Sequence, residues 1–187
     1  MLAKTLSALA LGAAFLVPAA PALAQTRSFD QGHVHVIASA EPKRLDFAVT
    51  VPAGVDQVWD AFTTTAGVTS WLAPQATIEP RPGGKWEVSF GAGSSTAGGT
   101  ILLLQPKSLL AVSALAPDQF PTVRRERTTA VFFFDAAGPK TTTVRLAQTG
   151  WQQGAEWDKA YDYLSTGNAQ LLEALYQHFA GGVVPRP

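Results

Sequence analysis

The chain contains no cysteine, a single methionine and only three histidines in 187 residues. Without cysteine there is no disulfide, no thiol nucleophile, no Cys-ligated metal and no lipid-modified N-terminal cysteine. Charge is scarce as well: charged residues make up 15% of the chain, against about 25% in an average soluble domain. The 14 basic and 14 acidic side chains cancel, so no net field favours nucleic acid or an anionic membrane. Catalytic signatures are missing too, with no G-x-S-x-G elbow, H-E-x-x-H helix, P-loop or ordered G-x-G-x-x-G. A Ser-His-acid triad would need one of the three histidines, and none stands in such a motif. No catalytic residue, metal ligand set or cofactor is therefore assigned.

What the chain does have is apolar bulk, at 47% hydrophobic residues, punctuated by 16 Gly and 13 Pro. That composition describes a folded chain. The first segment has a different purpose. Lys4 supplies a positive charge, Leu6 to Val17 is apolar, Pro18 and Pro21 break the run, and Ala22-Leu23-Ala24 precedes Gln25. This order is that of a secretory signal peptide over 1–24, cut after Ala24, which places the protein in the periplasm or outside the cell. The apolar run is shorter than the roughly 20 residues of a membrane span. Later apolar runs are all interrupted, so no membrane span is expected.

Residues 25–43 read as an N-terminal extension, polar at first, with an extra strand around His33-Val-His-Val-Ile37. The domain proper follows over 44–182, and 183–187 is a tail. From Arg44 to Val51, Leu45, Phe47, Val49 and Val51 alternate with more polar neighbours, the period of a half-buried strand. Val55 to Phe62 carries Val55, Val58, Trp59 and Phe62 on one helical face, and a second short helix falls around Val68 to Leu72. Strands are expected over Ala76–Pro80, Lys85–Phe90, Thr100–Leu104, Leu109–Leu115, Arg127–Asp135 and Thr141–Thr149, with a hairpin loop from Gly91 to Gly99. A long helix then runs from about Glu156 to Ala180. Its stripe consists of Trp157, Tyr161, Leu164, Leu171, Leu175 and Phe179, with Asn168 in the middle. The expectation is an α+β fold, an antiparallel sheet of about six to seven strands with its helices on one side.

Several short motifs occur in a fixed order. They are Val51-Pro-Ala-Gly-Val-Asp-Gln-Val-Trp59-Asp-Ala-Phe62, Trp71-Leu-Ala-Pro74, Arg81-Pro-Gly-Gly-Lys-Trp86, Gly98-Gly-Thr-Ile101, Thr143-Val-Arg-Leu146 and Gln148-Thr-Gly-Trp151, followed by the Trp157-containing helix. In this order the chain resembles the START-like, birch-pollen-allergen-like superfamily (SRPBCC). Within it, the chain is similar to the group homologous to the activator of the heat-shock-protein ATPase. The resemblance implies a helix-grip fold, in which a curved antiparallel sheet wraps the C-terminal helix around a cavity. Relatives in the superfamily bind lipids, sterols or plant hormones, and some catalyse cyclisation or dehydration. Where members of the group often carry Gly-Trp, this chain reads Gly167-Asn168; where many carry His, it has Gln148. A one-domain fold of this kind hosts many functions.

The candidate ligand-binding residues follow from the stripe and the cavity. Trp71, Trp86, Trp157, Tyr161 and Leu164 either line the cavity or fill the core. Asn168 is an amide inside an apolar stripe, and a buried amide needs a hydrogen-bond partner. That partner is a backbone group, a water or a ligand, and Gln148 continues a strand face toward the same space. The expected ligand is a small apolar or amphipathic molecule. Two other readings compete: a cyclase- or hydratase-like enzyme using cavity polar groups, and an envelope interaction module. His33 and His35 would share a strand face without a third metal ligand, and Arg124-Arg125-Glu126-Arg127 is a solvated charge run or a carboxylate grip.

Overall fold

A computed structural model gives the fold of the protein and describes residues 26–181. The segment read as a signal peptide and the tail at 183–187 lie outside the described residues. Nine strands form one antiparallel sheet in the order β1-β2-β3-β9-β8-β7-β6-β5-β4. The strands are β1 (Thr26–Gln31), β2 (Val34–Ala40), β3 (Lys43–Val51), β4 (Gln75–Ile78), β5 (Lys85–Ser89), β6 (Ala97–Gln105), β7 (Leu109–Leu115), β8 (Thr128–Gly138) and β9 (Thr141–Thr149). Helices α1 (Val55–Thr63) and α2 (Thr65–Trp71) follow β3, α3 (Pro121–Glu126) precedes β8, and α4 (Ala155–Phe179) closes the described chain. The α+β class, the two early helices and the long last helix agree with the sequence. The strand count does not: nine replaces six to seven. Among the described residues no helix is long and apolar enough to cross a membrane.

Alternation decides which face is inside. Leu45, Phe47, Val49 and Val51 of β3 are buried, and they share their face with Val144, Leu146 and Gln148 of β9 through the paired register. Phe132 and Phe134 of β8 continue that face, and Phe62 of α1 packs on them at ring distances of 5.0 and 5.1 Å. One half of the interior is thus aromatic, with Trp71 also 5.2 Å from Phe62. Two glycines at the start of β6 permit close backbone approach to its neighbours. Gly98 sits at φ +90°, and a Cβ there would come 2.0 Å from the Trp86 carbonyl oxygen; at Gly99 it would come 1.9 Å from that of Ser113. Only glycine fits such approaches, which gives a structural role to the Gly98-Gly99 motif and turns part of the expected 91–99 loop into strand.

The added strands form a hairpin at the edge of the sheet. The turn before β2 brings His33 onto α4, where its ring stacks on Tyr176 at 3.7 Å. The His33 backbone N–H donates to Glu173 Oε2 at 2.7 Å and its Nδ1 lies 2.9 Å from Oε1. His35 goes elsewhere, to Asp30 and Ser28, so the two histidines share no site. Among the described residues no group of three metal-ligating side chains occurs. Burial alone would raise the Glu173 carboxyl, but hydrogen bonds from Gln177 and His33 outweigh it and hold the group below its ordinary value. A depressed carboxyl stabilises the fold above its unfolded-state pKa, and that contribution is lost as pH falls through the folded-state value. Protection factors of the β1 and β2 amides, referenced to the intrinsic exchange rate at each pH, are therefore expected to fall on acidification below the ordinary carboxyl value of 4.5, and Glu173→Gln should flatten that dependence. Identical acid profiles in the two proteins would contradict the assignment.

Candidate functional site

The first polar link joins α4 to the sheet. Asn168 Nδ2 donates to Gln148 Oε1 at 2.7 Å, and Gln148 Nε2 donates to the Thr128 hydroxyl at 2.8 Å. Gln148 and Thr128 are buried, whereas Asn168 is half-buried. Asn168 makes no other hydrogen bond among the described residues, and no side-chain nitrogen or oxygen buried among them lacks a partner. Its second amide atom therefore meets solvent. Both amides can be turned together, since oxygen and nitrogen are set by the network. One sense presents a carbonyl oxygen and the other an N–H.

Around this link the inward face is made of small residues. The registers put Thr128 beside Ala114, Ala114 beside Gly99, and Ala130 beside Gln148. Ala97 and Ala114 point inward by alternation yet are only half-buried, as are Leu164 and Leu171 on α4. Water reaches these inward-facing alanines, so the interior is less tightly covered between α4 and the β6–β7 side, where α3 packs on both α4 and β7. Two measurable pockets lie elsewhere: one of about 300 Å³ between the β1–β2 hairpin and α4, and a trough of about 270 Å³ on the outer sheet face beside Phe133 and Arg145.

The remaining candidates are held by the protein itself. The indole of Trp71 donates to the Ala61 carbonyl at 2.9 Å, and that of Trp86 to Phe62 at 2.7 Å. Both rings are buried and tie α1 to what lies beneath it. Trp157 is buried edge-on to Trp151 at 6.4 Å. The Tyr161 hydroxyl reaches the carbonyls of Ser39 and Arg44 at 3.0 and 2.9 Å, at the hairpin edge, and burial raises its phenol above the ordinary value. Leu164 is half-buried on α4, one helical turn before Asn168. Thr128 had no signal in the sequence, because a threonine at the start of a strand is ordinary. Arg124 grips backbone, donating to the carbonyls of Thr96 at 3.1 Å and Ala116 at 2.5 Å. Arg124 is thus an anchor, whereas Arg125 is exposed and pairs with Glu126 at 3.0 Å.

Residues 52–180 match the family described as Activator of Hsp90 ATPase homolog 1-like protein. The chain belongs to this family. Solved structures agree on the fold. One is the solution structure of the Aha1 dimer from Colwellia psychrerythraea, at 16% identity and TM-score 0.60, covering 75% of this chain and 98% of that one. A Mesorhizobium loti protein is 20% identical at TM-score 0.59, covering 73% and 97%. An HSP90 activator from Plasmodium falciparum is 13% identical at TM-score 0.57, covering 74% and 96%. No curated protein matches the chain by sequence. The family match begins after β3, so the β1–β2 hairpin precedes it.

Proposed function

We propose that the chain is an exported binding protein that takes a small apolar or amphipathic molecule into the less tightly covered end of its grip. The observation that carries this reading is the pairing of half-exposed, inward-facing Ala97, Ala114, Leu164 and Leu171 with an Asn168 amide that keeps one atom free. Ligand sites are mostly apolar with a few placed polar groups, and this cleft has that composition. Export is supported by the charged, apolar and small-residue order of the first 24 residues.

The polar groups at the cleft are two amides and a hydroxyl. Such groups orient a ligand but do not titrate near neutral pH, which favours binding over acid–base catalysis. A fluorescent fatty-acid analogue is expected to bind saturably and to be displaced by unlabelled medium-chain acids. Asn168→Leu should weaken it by about two- to tenfold, the range of one neutral hydrogen bond. Absence of saturable, displaceable binding would remove the proposal.

A further inference from the structure

The pocket of about 300 Å³ beside the hairpin is separate from the cleft, and half of its lining residues precede the family match. Its uncharged lining consists of Ala38, Ala40, Gln153 and Tyr161. Its walls carry two cations and two anions. Lys43 is mostly buried, with 13% of its side chain exposed; it pairs with Asp158 and reaches the Gln152 carbonyl at 3.4 Å. Its ammonium lies 5.4 Å from the Tyr161 ring centre. Arg27 and Asp162 are different: they face each other at 3.7 Å and are both largely exposed.

An ammonium has three N–H donors and a guanidinium five. Two of those of Lys43 are engaged and Arg27 has one long ion pair, so donors remain free on one side of the pocket. On the other side, Asp158 and Asp162 each have one oxygen in an ion pair, and the second oxygen of each remains as an acceptor. The four charges sum to zero, so a lone cation or anion gains nothing from the net field. A molecule carrying both charges gains at both walls.

We propose that this pocket binds a small zwitterion with a short apolar side chain, of the α-amino-acid class. The carboxylate faces Arg27 and Lys43, the ammonium faces Asp158 and Asp162, and the side chain lies on the alanines and the tyrosine ring. Because the outer pair is solvent-exposed, the affinity is expected to be weak, on the order of millimolar.

The test uses isotope-labelled protein, purified whole, titrated in an NMR experiment with three matched probes: valine, isovalerate and isobutylamine. Valine should shift the amides of Ala38, Lys43 and Asp158–Asp162 saturably, and each singly charged probe should bind at least about twofold more weakly. Arg27→Gln and Asp162→Asn, both at exposed positions, should each weaken valine by about two- to fivefold. Asn168→Leu should leave valine binding unchanged, so this site and the apolar cleft can fail independently. Shifts that stay linear, an equal response to isovalerate, or indifference to both pocket substitutions would overturn the proposal.

Discussion

Phe62→Ala is expected to cost about 3–5 kcal/mol of folding stability, a fall in Tm on the order of 10 °C. Phe62 is fully buried, and its ring meets Trp71, Phe132 and Phe134 within 5.2 Å. Those three neighbours belong to a second helix and to the sheet, so they cannot all collapse into the space left behind. The loss is then a transfer term together with a cavity term. Position matters for the fold as well, since the Phe62 carbonyl accepts the Trp86 indole N–H. The backbone keeps that bond in the mutant, so the measured loss reports packing. Chemical denaturation at an unchanged m-value would check it. A loss below about 1 kcal/mol would mean that the aromatic half of the interior is not the core described above.

The second large effect concerns the less tightly covered half. Ala114→Phe is expected to reduce binding of the fatty-acid probe by more than about tenfold, while Tm changes little because the site has spare room. Ala114 pairs with Thr128 in the sheet, and directly paired side chains stand about 4.5–5.5 Å apart. A benzyl group there would cover the Thr128–Gln148–Asn168 link and occupy the apolar surface beside it. Ser113→Phe is the matching control, because successive strand residues point to opposite faces. That ring would lie on the outer face and leave binding unchanged. If the two substitutions behave alike, the cleft is not where the probe sits.

Much of this architecture could be read from the sequence because the signals were local. The alternation in β3 and the apolar stripe of α4 are periodic patterns that survive without knowledge of the partner element. What escaped was set by distant contacts. Strand β1 is exposed along almost its whole length, so it has no alternation to detect. Helix α3 has no apolar stripe; the N–H groups of Thr122 and Val123 in its first turn are satisfied by the Glu156 carboxylate at 2.6 and 3.1 Å. The start of β6 looks like a loop because its glycines are required by backbone approach instead of by a turn.

The site divides along the same line. Asn168 stood out as an amide in an apolar stripe, and Gln148 as a polar end to an apolar strand face. That they bond to each other, with Thr128 as the third member, depends on how α4 crosses the sheet. The tryptophans were conspicuous for their size, but size cannot tell a pocket wall from a packed ring. Their indole N–H groups on the Ala61 and Phe62 carbonyls show how two of them are held.

The most direct test of the binding account is native mass spectrometry on protein recovered from the exported fraction, followed by solvent extraction. The account predicts a reproducible adduct of roughly a few hundred daltons, the mass of a small apolar or amphipathic ligand, lost in Ala114→Phe. A bare mass that takes up neither added fatty acids nor aromatic probes would contradict it.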